Sequence, residues 1–228
     1  TGRDVVQQVL AGHADAVRAW DASSLTYEAS GQRCERFEIA GTHAPGDEFT
    51  AGGRRWQVLA APGHDPHSVL LFDADHGVLI SADALWERGF GVVFPEIEGE
   101  PGFDDVGAVL DAIERLPVRV VIPGHGAPFA DVADAVHRAR SRLAAFVADP
   151  ARHGRHGAKV LLKYHLLEEQ QQALPDLQAW WSSVPLIQRL WRRWSRPAGT
   201  MAAWCDQLVH ELAAAGALHL EGGRVHNR

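Results

Sequence analysis

Short apolar runs bounded by glycine, proline and aspartate fill the middle of the chain. Their valine, isoleucine and leucine content predicts β-strands at residues 54–60, 68–73, 77–82 and 118–122. Ala74-Asp75-His76 and the following Gly77 join the second run to the third, a composition typical of a tight hairpin turn. Apolar residues then recur at helical spacing from Phe103 to Pro117, with Asp104 placed to cap the first turn. Strands and a helix together predict a mixed α/β (α+β) architecture for this half.

The second half of the chain has mostly helical periodicity. Apolar stripes indicate one helix at 131–149 and another at about 158–172, and the polar stretch DPARHGRHG at 149–157 predicts a solvated connection between them. A later helix is expected to be capped by Thr200, and Glu221-Gly222-Gly223 separates two short alternating runs that predict a β-hairpin. Helices followed by such a hairpin are typical of a winged-helix unit.

Composition excludes several classes of protein. The chain has 228 residues, 46% of them hydrophobic, which is ample for a buried core, and no apolar run approaches the roughly 20 residues that a membrane span needs. The two cysteines, Cys34 and Cys205, are far apart, so neither a disulfide framework nor a cysteine zinc knuckle is supported. A cytoplasmic location is therefore expected. The first residues lack an initiator methionine and the features of a signal peptide, so we expect the chain to begin inside a longer one.

The charge is uneven along the sequence. Residues 1–130 hold 9 basic and 20 acidic residues, a net −11, whereas residues 131–228 hold 13 basic and 9 acidic residues, a net +4. This asymmetry indicates two units with different surfaces. The acidic excess argues against a whole-protein nucleic-acid clamp, although the positive C-terminal unit leaves local binding open.

Three loops at predicted strand ends combine a small residue with a side chain that can bind metal. They are Pro62-Gly63-His64-Asp65, Ser81-Ala82-Asp83 and Pro123-Gly124-His125-Gly126. Imidazole and carboxylate groups suit zinc, manganese or iron, and an adjacent glycine lets the backbone turn sharply. Each motif alone also fits an ordinary loop or turn, so their joint placement is what indicates a site.

The segments APGHDPHSVLLF, VLISADALW and VVIPGHGAPF, in this order, resemble the later metal-binding motifs of the metallo-β-lactamase-fold hydrolases. The resemblance covers about residues 40–148. It implies a partial αββα sandwich in which His64 belongs to a first metal site, Asp83 bridges two metals and His125 belongs to the second. Zinc is the expected cofactor, with two ions in the full-length enzyme and with iron or manganese as alternatives.

The remaining sequence extends the resemblance and also departs from it. The helix at 131–148 is similar to one in glyoxalase-II-like members, and the rest resembles an appended winged-helix domain, which implies domains at 1–148 and 157–228. The family's principal signature, HxHxDH, is absent. Only His13-Ala14-Asp15 approaches it, in a stretch that indicates a surface helix. We therefore expect a truncated form with a partial metal site.

The resemblance implies a hydrolase in which metal-bound hydroxide attacks an ester or thioester of a small-molecule acyl substrate. No catalytic side chain beyond the metal-bound water is identified. His67 has two interpretations, as a substrate contact or as a hydrogen-bonding residue at a strand start. Trp86 and Phe90 fit either an apolar substrate wall or packing between sheet and helix.

Two other functions stay open. An RNA-binding or RNA-processing protein of the same fold is one, because the segment LIQRLWRRWSR at 186–196 interleaves tryptophan with arginine. The same segment also fits an amphipathic helix with its tryptophans directed inward, so nucleic acid is not the favoured partner. The other is a non-catalytic remnant that serves as an interaction scaffold.

Overall fold

A five-stranded mixed sheet organises the first half of the chain. The computed structural model describes residues 41–195 and 199–228. The strands are β1 (Glu48–Ala51), β2 (Arg54–Ala60), β3 (Val69–Asp73), β4 (Val78–Ala82) and β5 (Val120–Pro123). They lie in sequence order across the sheet. The pairs β1–β2, β2–β3 and β3–β4 are antiparallel, and the pair β4–β5 is parallel. Together with the helices below, this confirms the predicted mixed α+β class.

Period-two patterning places one face of this sheet in the first hydrophobic core. Leu70, Phe72, Leu79 and Val121 are all less than 3% exposed on that face. The helices of this half are α1 (Phe94–Glu98), α2 (Phe103–Arg115) and α3 (Val132–Ala148). Helices α2 and α3 supply the rest of the core with the apolar stripe that their spacing predicts.

Local polar contacts explain two features of this half. The buried Asp73 carboxylate accepts hydrogen bonds from the backbone N–H groups of Asp75 and His76 and from Arg54, which fixes the predicted β3–β4 turn. The expected cap of α2 is wrong, because Asp104 makes no capping hydrogen bond. The Glu96 carboxylate instead accepts from the N–H groups at residues 102 and 103, at 2.8 and 3.0 Å.

Helices and a small sheet form the second half. The helices are α4 (Pro150–Glu169), α5 (Leu174–Ser183), α6 (Pro185–Leu190) and α7 (Met201–Ala214), with a π-helical turn at Trp191–Ser195. The strands are β6 (Gln171–Ala173), β7 (Leu218–Glu221) and β8 (Arg224–Asn227), in the order β6-β8-β7. Thr200 caps α7 through its hydroxyl, and the C-terminal hairpin forms as predicted. Trp181, Trp204 and Leu162 are among the residues that fill the second hydrophobic core.

The predicted connection at 149–157 is wrong, because helix α4 begins there. The Asp149 carboxylate accepts from the N–H of Arg152, and Pro150 occupies the first turn, where its missing N–H costs nothing. A Cβ atom at Gly154 would lie 2.3 Å from the ring of Trp194, and one at Gly157 would lie 2.5 Å from Ile97. These glycines therefore permit close packing of the helix rather than a flexible linker.

The two histidines of this segment are also not solvated as expected. His153 is 1% exposed, and burial lowers its pKa to about 4. Burial, reinforced by nearby Arg142, likewise lowers the pKa of the half-buried His156 to about 4. Both rings are therefore neutral in the folded protein at neutral pH.

Acidification is expected to destabilise the fold through His153. In the unfolded chain this ring binds a proton near pH 6.5, so the unfolded state binds more protons below that pH and the free energy of unfolding falls as the pH drops toward 4. The shift corresponds to a loss of roughly 3 kcal/mol across this window. Urea unfolding measured near neutral pH and near pH 4 should show a smaller loss of unfolding free energy for His153→Gln than for the wild type. Equal losses in the two proteins would contradict the assignment.

The tryptophan–arginine segment packs with its indoles inward. Trp191 and Trp194 pack against the second core, whereas Arg192 and Arg193 are exposed, and the Arg193 guanidinium lies 4.6 Å from the Trp194 ring centre. Of the two interpretations of this segment, RNA binding and an amphipathic helix, the arrangement matches the amphipathic helix. Within the described residues, no helix has the length and apolar character to cross a bilayer.

Candidate metal centre

Three strand ends at one edge of the first sheet bring His64, Asp83 and His125 together. Strands β2, β4 and β5 run in the same direction, so the loops that follow them lie at the same edge. The Nε2 atom of His64 is 3.4 Å from Oδ2 of Asp83, and Nε2 of His125 is 3.7 Å from Oδ1. Each carboxylate oxygen therefore faces a different imidazole ring.

The orientation of His64 is set by a backbone carbonyl. Its Nδ1 lies 2.6 Å from the oxygen of Val92, and because a carbonyl can only accept, Nδ1–H must be the donor. In the neutral ring the lone pair is then on Nε2, directed at the Asp83 carboxylate. This nitrogen and the Asp83 oxygen 3.4 Å away can both donate an electron pair to a cation.

Two features fix the position of Asp83: a hydrogen bond from the indole of Trp86, and the strained backbone of the preceding residue, Ala82. The Trp86 Nε1–H donates to Oδ1 of Asp83 at 3.1 Å and to the carbonyl of Ala82 at 3.2 Å. Ala82 has a φ of 45°, a left-handed conformation that costs a non-glycine residue about 1–3 kcal/mol. The pairing of β4 with β5 also shifts register here. The strand therefore ends in a kink that redirects Asp83.

Two glycines leave room for these side chains. A Cβ atom at Gly91 would lie 2.7 Å from Nδ1 of His64 and 2.9 Å from Cβ of Asp83. One at Gly124 would lie 2.9 Å from Oδ1 of Asp83. Neither glycine has a positive φ, so close approach explains them. For Gly124 this differs from the sharp turn that its motif predicts, whereas Gly63 and Gly126 have positive φ values of 137° and 95°.

His125 is the most exposed member of the group. Its side chain is 73% exposed, and its ring makes an edge contact with Trp86, with ring centres 5.1 Å apart. Trp86 therefore touches both Asp83 and His125. Sequence analysis gave this tryptophan only an apolar role. Its position three residues after the aspartate was the signal available for the hydrogen bond.

The other candidate residues lie around this group. The backbone N–H of His67 donates to Oδ1 of Asp65 at 2.7 Å, and its side chain is exposed. Phe90 is 2% exposed in the first core, where its ring makes an edge contact with Phe146. It also lines a cavity of about 10 Å³ beside His64 and Asp83. His13-Ala14-Asp15 lies outside the described residues.

The donor set fits a divalent cation in type and orientation. Imidazole nitrogen and carboxylate oxygen are ligands of zinc and of iron, and the His64 lone pair is already directed at the carboxylate. Across residues 41–195 and 199–228, no three or more His, Cys, Asp or Glu side chains form a single metal-binding cluster. The arrangement is instead two histidine–aspartate pairs that share Asp83.

Comparison with known proteins identifies relatives over part of the chain. Hydroxyacylglutathione hydrolase of Brucella anthropi is 32% identical over 122 residues, which cover 51% of this chain and 43% of that protein. Acyl-coenzyme A thioesterase MBLAC2 of Gallus gallus is 28% identical over 80 residues, covering 35% and 29% of the two chains. The chain thus spans less than half the length of these curated relatives.

Solved structures and a family profile give the remaining comparisons. A beta-lactamase domain protein from Burkholderia ambifaria aligns with a TM-score of 0.41 and 20% identity, covering 89% of this chain and 55% of that one. A metallo-beta-lactamase family protein from Thermus thermophilus aligns with a TM-score of 0.39 and 22% identity, covering 82% and 54%. The sequence profile of the metallo-beta-lactamase superfamily matches residues 9–125, about half of the chain. The chain belongs to the metallo-beta-lactamase superfamily.

Proposed function

We propose that this protein is a metal-dependent hydrolase that cleaves the thioester or ester bond of a small acyl substrate. The observation that carries the proposal is the Asp83 carboxylate, whose two oxygens face His64 and His125 separately. A carboxylate in this position suits a bridge between two cations. His64 serves one ion and His125 the other, with zinc as the proposed metal and with iron or manganese compatible with the same ligands.

The chain's own residues orient the side chains that would bind the metal, and the carboxylate of Asp83 would offset part of the cation's charge. When bound, a divalent cation lowers the pKa of water toward neutrality and polarises the carbonyl oxygen under attack. The Val92 carbonyl keeps the proton of His64 on Nδ1, which leaves Nε2 free to bind. Trp86 fixes the carboxylate of Asp83 and packs against the ring of His125. Each ion would receive two ligands from the described residues, one fewer than the three protein ligands usual for catalytic zinc.

Thioester hydrolysis is favoured by the named activities of the relatives. One acts on hydroxyacylglutathione and another on acyl-coenzyme A, and both are thioesters. We also propose that residues 157–228 form a winged-helix-like domain appended to a metallo-β-lactamase-like domain at 1–148. The helices and the three-stranded β6-β8-β7 sheet around the second core support this division.

An acyl-thioester assay with zinc-loaded protein tests the proposal. Release of free thiol from a hydroxyacyl thioester of glutathione should exceed the rate without protein and should stop when a chelator removes the metal. A β-lactam serves as the comparison substrate and should be cleaved more slowly. If zinc binds and no thioester or ester is cleaved, the proposed hydrolase activity is wrong.

Trp86→Phe is expected to weaken zinc binding by roughly 10- to 100-fold, the usual effect of losing a hydrogen bond to a metal ligand. The phenyl ring keeps the apolar contact with His125 but lacks the N–H that holds Asp83. Zinc titration by calorimetry measures the change. Trp180→Phe, a matched change in helix α5, should leave the affinity unaltered. Wild-type affinity in Trp86→Phe would show that the indole has no positioning role.

A further inference from the structure

A large basic cavity lies between helices α3 and α4, away from the three loops of the candidate metal centre. Its volume is about 660 Å³, which is within the range of small-molecule sites. Five cationic side chains line it, and no aspartate or glutamate lies among the lining residues described. The cations are Arg88, Arg142, Arg152, Arg155 and Lys159.

Two of these cations share one carboxylate, and the other three pair with none in the described part of the chain. Glu211 on helix α7 pairs with Arg155 and, at 2.7 Å, with Lys159. Across the described part of the chain, the guanidinium groups of Arg88, Arg142 and Arg152 have no carboxylate within ion-pair distance. Five cations and one carboxylate therefore leave about four uncompensated positive charges at the cavity.

The contacts of Arg142 show that this charge is held in place. Its guanidinium donates to Nε2 of His156 at 2.9 Å and lies over the rings of Phe90 and Phe146, 5.7 and 5.4 Å from their centres. Burial, together with the positive charge of Arg152, lowers the pKa of Arg142. A cation that is partly desolvated beside other cations favours a bound anion.

We propose that this cavity binds the diphosphate group of a small molecule. Four uncompensated charges exceed what a single phosphate, which carries about −1.5 to −2 near pH 7, can balance. A diphosphate matches the excess better, and arginine forks bind phosphate oxygens in pairs.

The site is independent of the proposed hydrolase activity. The two regions have no lining residue in common, although the Arg142 guanidinium lies over Phe90, which lines the small cavity beside His64 and Asp83. Loss of diphosphate binding and loss of thioester cleavage can therefore be measured separately.

Calorimetric titration of the full chain with inorganic pyrophosphate tests the proposal. The buffer contains EDTA, so that binding through a metal ion does not contribute, and inorganic phosphate and ADP are titrated in parallel. Pyrophosphate should bind at one equivalent and more tightly than phosphate, and its affinity should fall as salt is raised. Tighter binding of ADP than of pyrophosphate would extend the ligand class to nucleotides.

Two variants localise the binding. Arg152→Gln, at an exposed position, and Arg142→Gln should each weaken pyrophosphate binding at least tenfold. Arg192→Gln, the same change of charge on an exposed residue outside the cavity, should have no effect. Circular dichroism checks that each variant is folded. The proposal is overturned if pyrophosphate does not bind at low salt, if Arg152→Gln binds it as the wild type does, or if a single-stranded RNA binds and pyrophosphate fails to displace it.

Discussion

Replacing Asp83 by alanine should weaken zinc binding by more than about 100-fold, since losing only a hydrogen bond to a ligand costs 10- to 100-fold. Both candidate ion positions share this carboxylate, so its removal leaves each imidazole without the second ligand that the described residues provide. Most thioesterase activity should be lost with the metal, whereas the far-ultraviolet spectrum should change little, because the side chain lies at a loop and outside the cores.

Calorimetry and metal analysis measure this effect, with Asp75→Ala as the control. Asp75 is an exposed aspartate in the β3–β4 turn, so the control removes the same charge from the same sheet. His125→Ala should resemble Asp83→Ala, whereas His67→Ala should change substrate affinity more than metal content. Normal turnover by Asp83→Ala would rule out the bridging role.

Gly91→Ala should damage the site without removing any ligand. The added methyl group would lie 2.7 Å from Nδ1 of His64 and 2.9 Å from Cβ of Asp83, so at least one of these residues must move. Overpacking of this kind costs about 1–3 kcal/mol of stability. The displaced His64 also loses its hydrogen bond to Val92, so zinc affinity should fall together with the unfolding midpoint.

Gly107→Ala provides the opposite control. Gly107 lies inside helix α2, and a Cβ atom there would approach only Leu143, at an ordinary 3.7 Å. Alanine should therefore stabilise the protein by up to about 1 kcal/mol with unchanged zinc affinity. Urea unfolding and zinc titration of both variants give the comparison. If Gly91→Ala keeps wild-type stability and affinity, the close packing around His64 and Asp83 is not needed.

Strands β2 to β5 could be predicted from the sequence, because they are short runs rich in valine, isoleucine and leucine bounded by glycine, proline and aspartate. Which residues of these runs are buried, such as Leu70 and Leu79, follows from the alternation of side chains along a strand. Strand β1 could not be predicted, since only one of its four residues, Phe49, is even half-buried. The first turns of helix α4 were missed because they are polar and contain Gly154 and Gly157, whose role is to admit side chains from distant segments.

The candidate site was predicted as three separate motifs, and their convergence follows from strand direction. The contacts that orient the motifs were not predictable in the same way. The Val92 carbonyl has no sequence signature, and the indole of Trp86 was assigned an apolar role although it follows Asp83 by three residues, because that spacing alone does not show that the indole N–H reaches the carboxylate. The basic cavity combines Arg88 with residues of two helices, a grouping that only tertiary packing creates.

The most direct test of the central claim is a zinc titration of the metal-free full chain, compared with the same titration of His64→Ala/His125→Ala. The account predicts that the wild type binds one or two ions and that the double variant loses this binding while it stays folded. Zinc binding with the same stoichiometry and affinity in the double variant, or no zinc binding by a folded wild type, would contradict it.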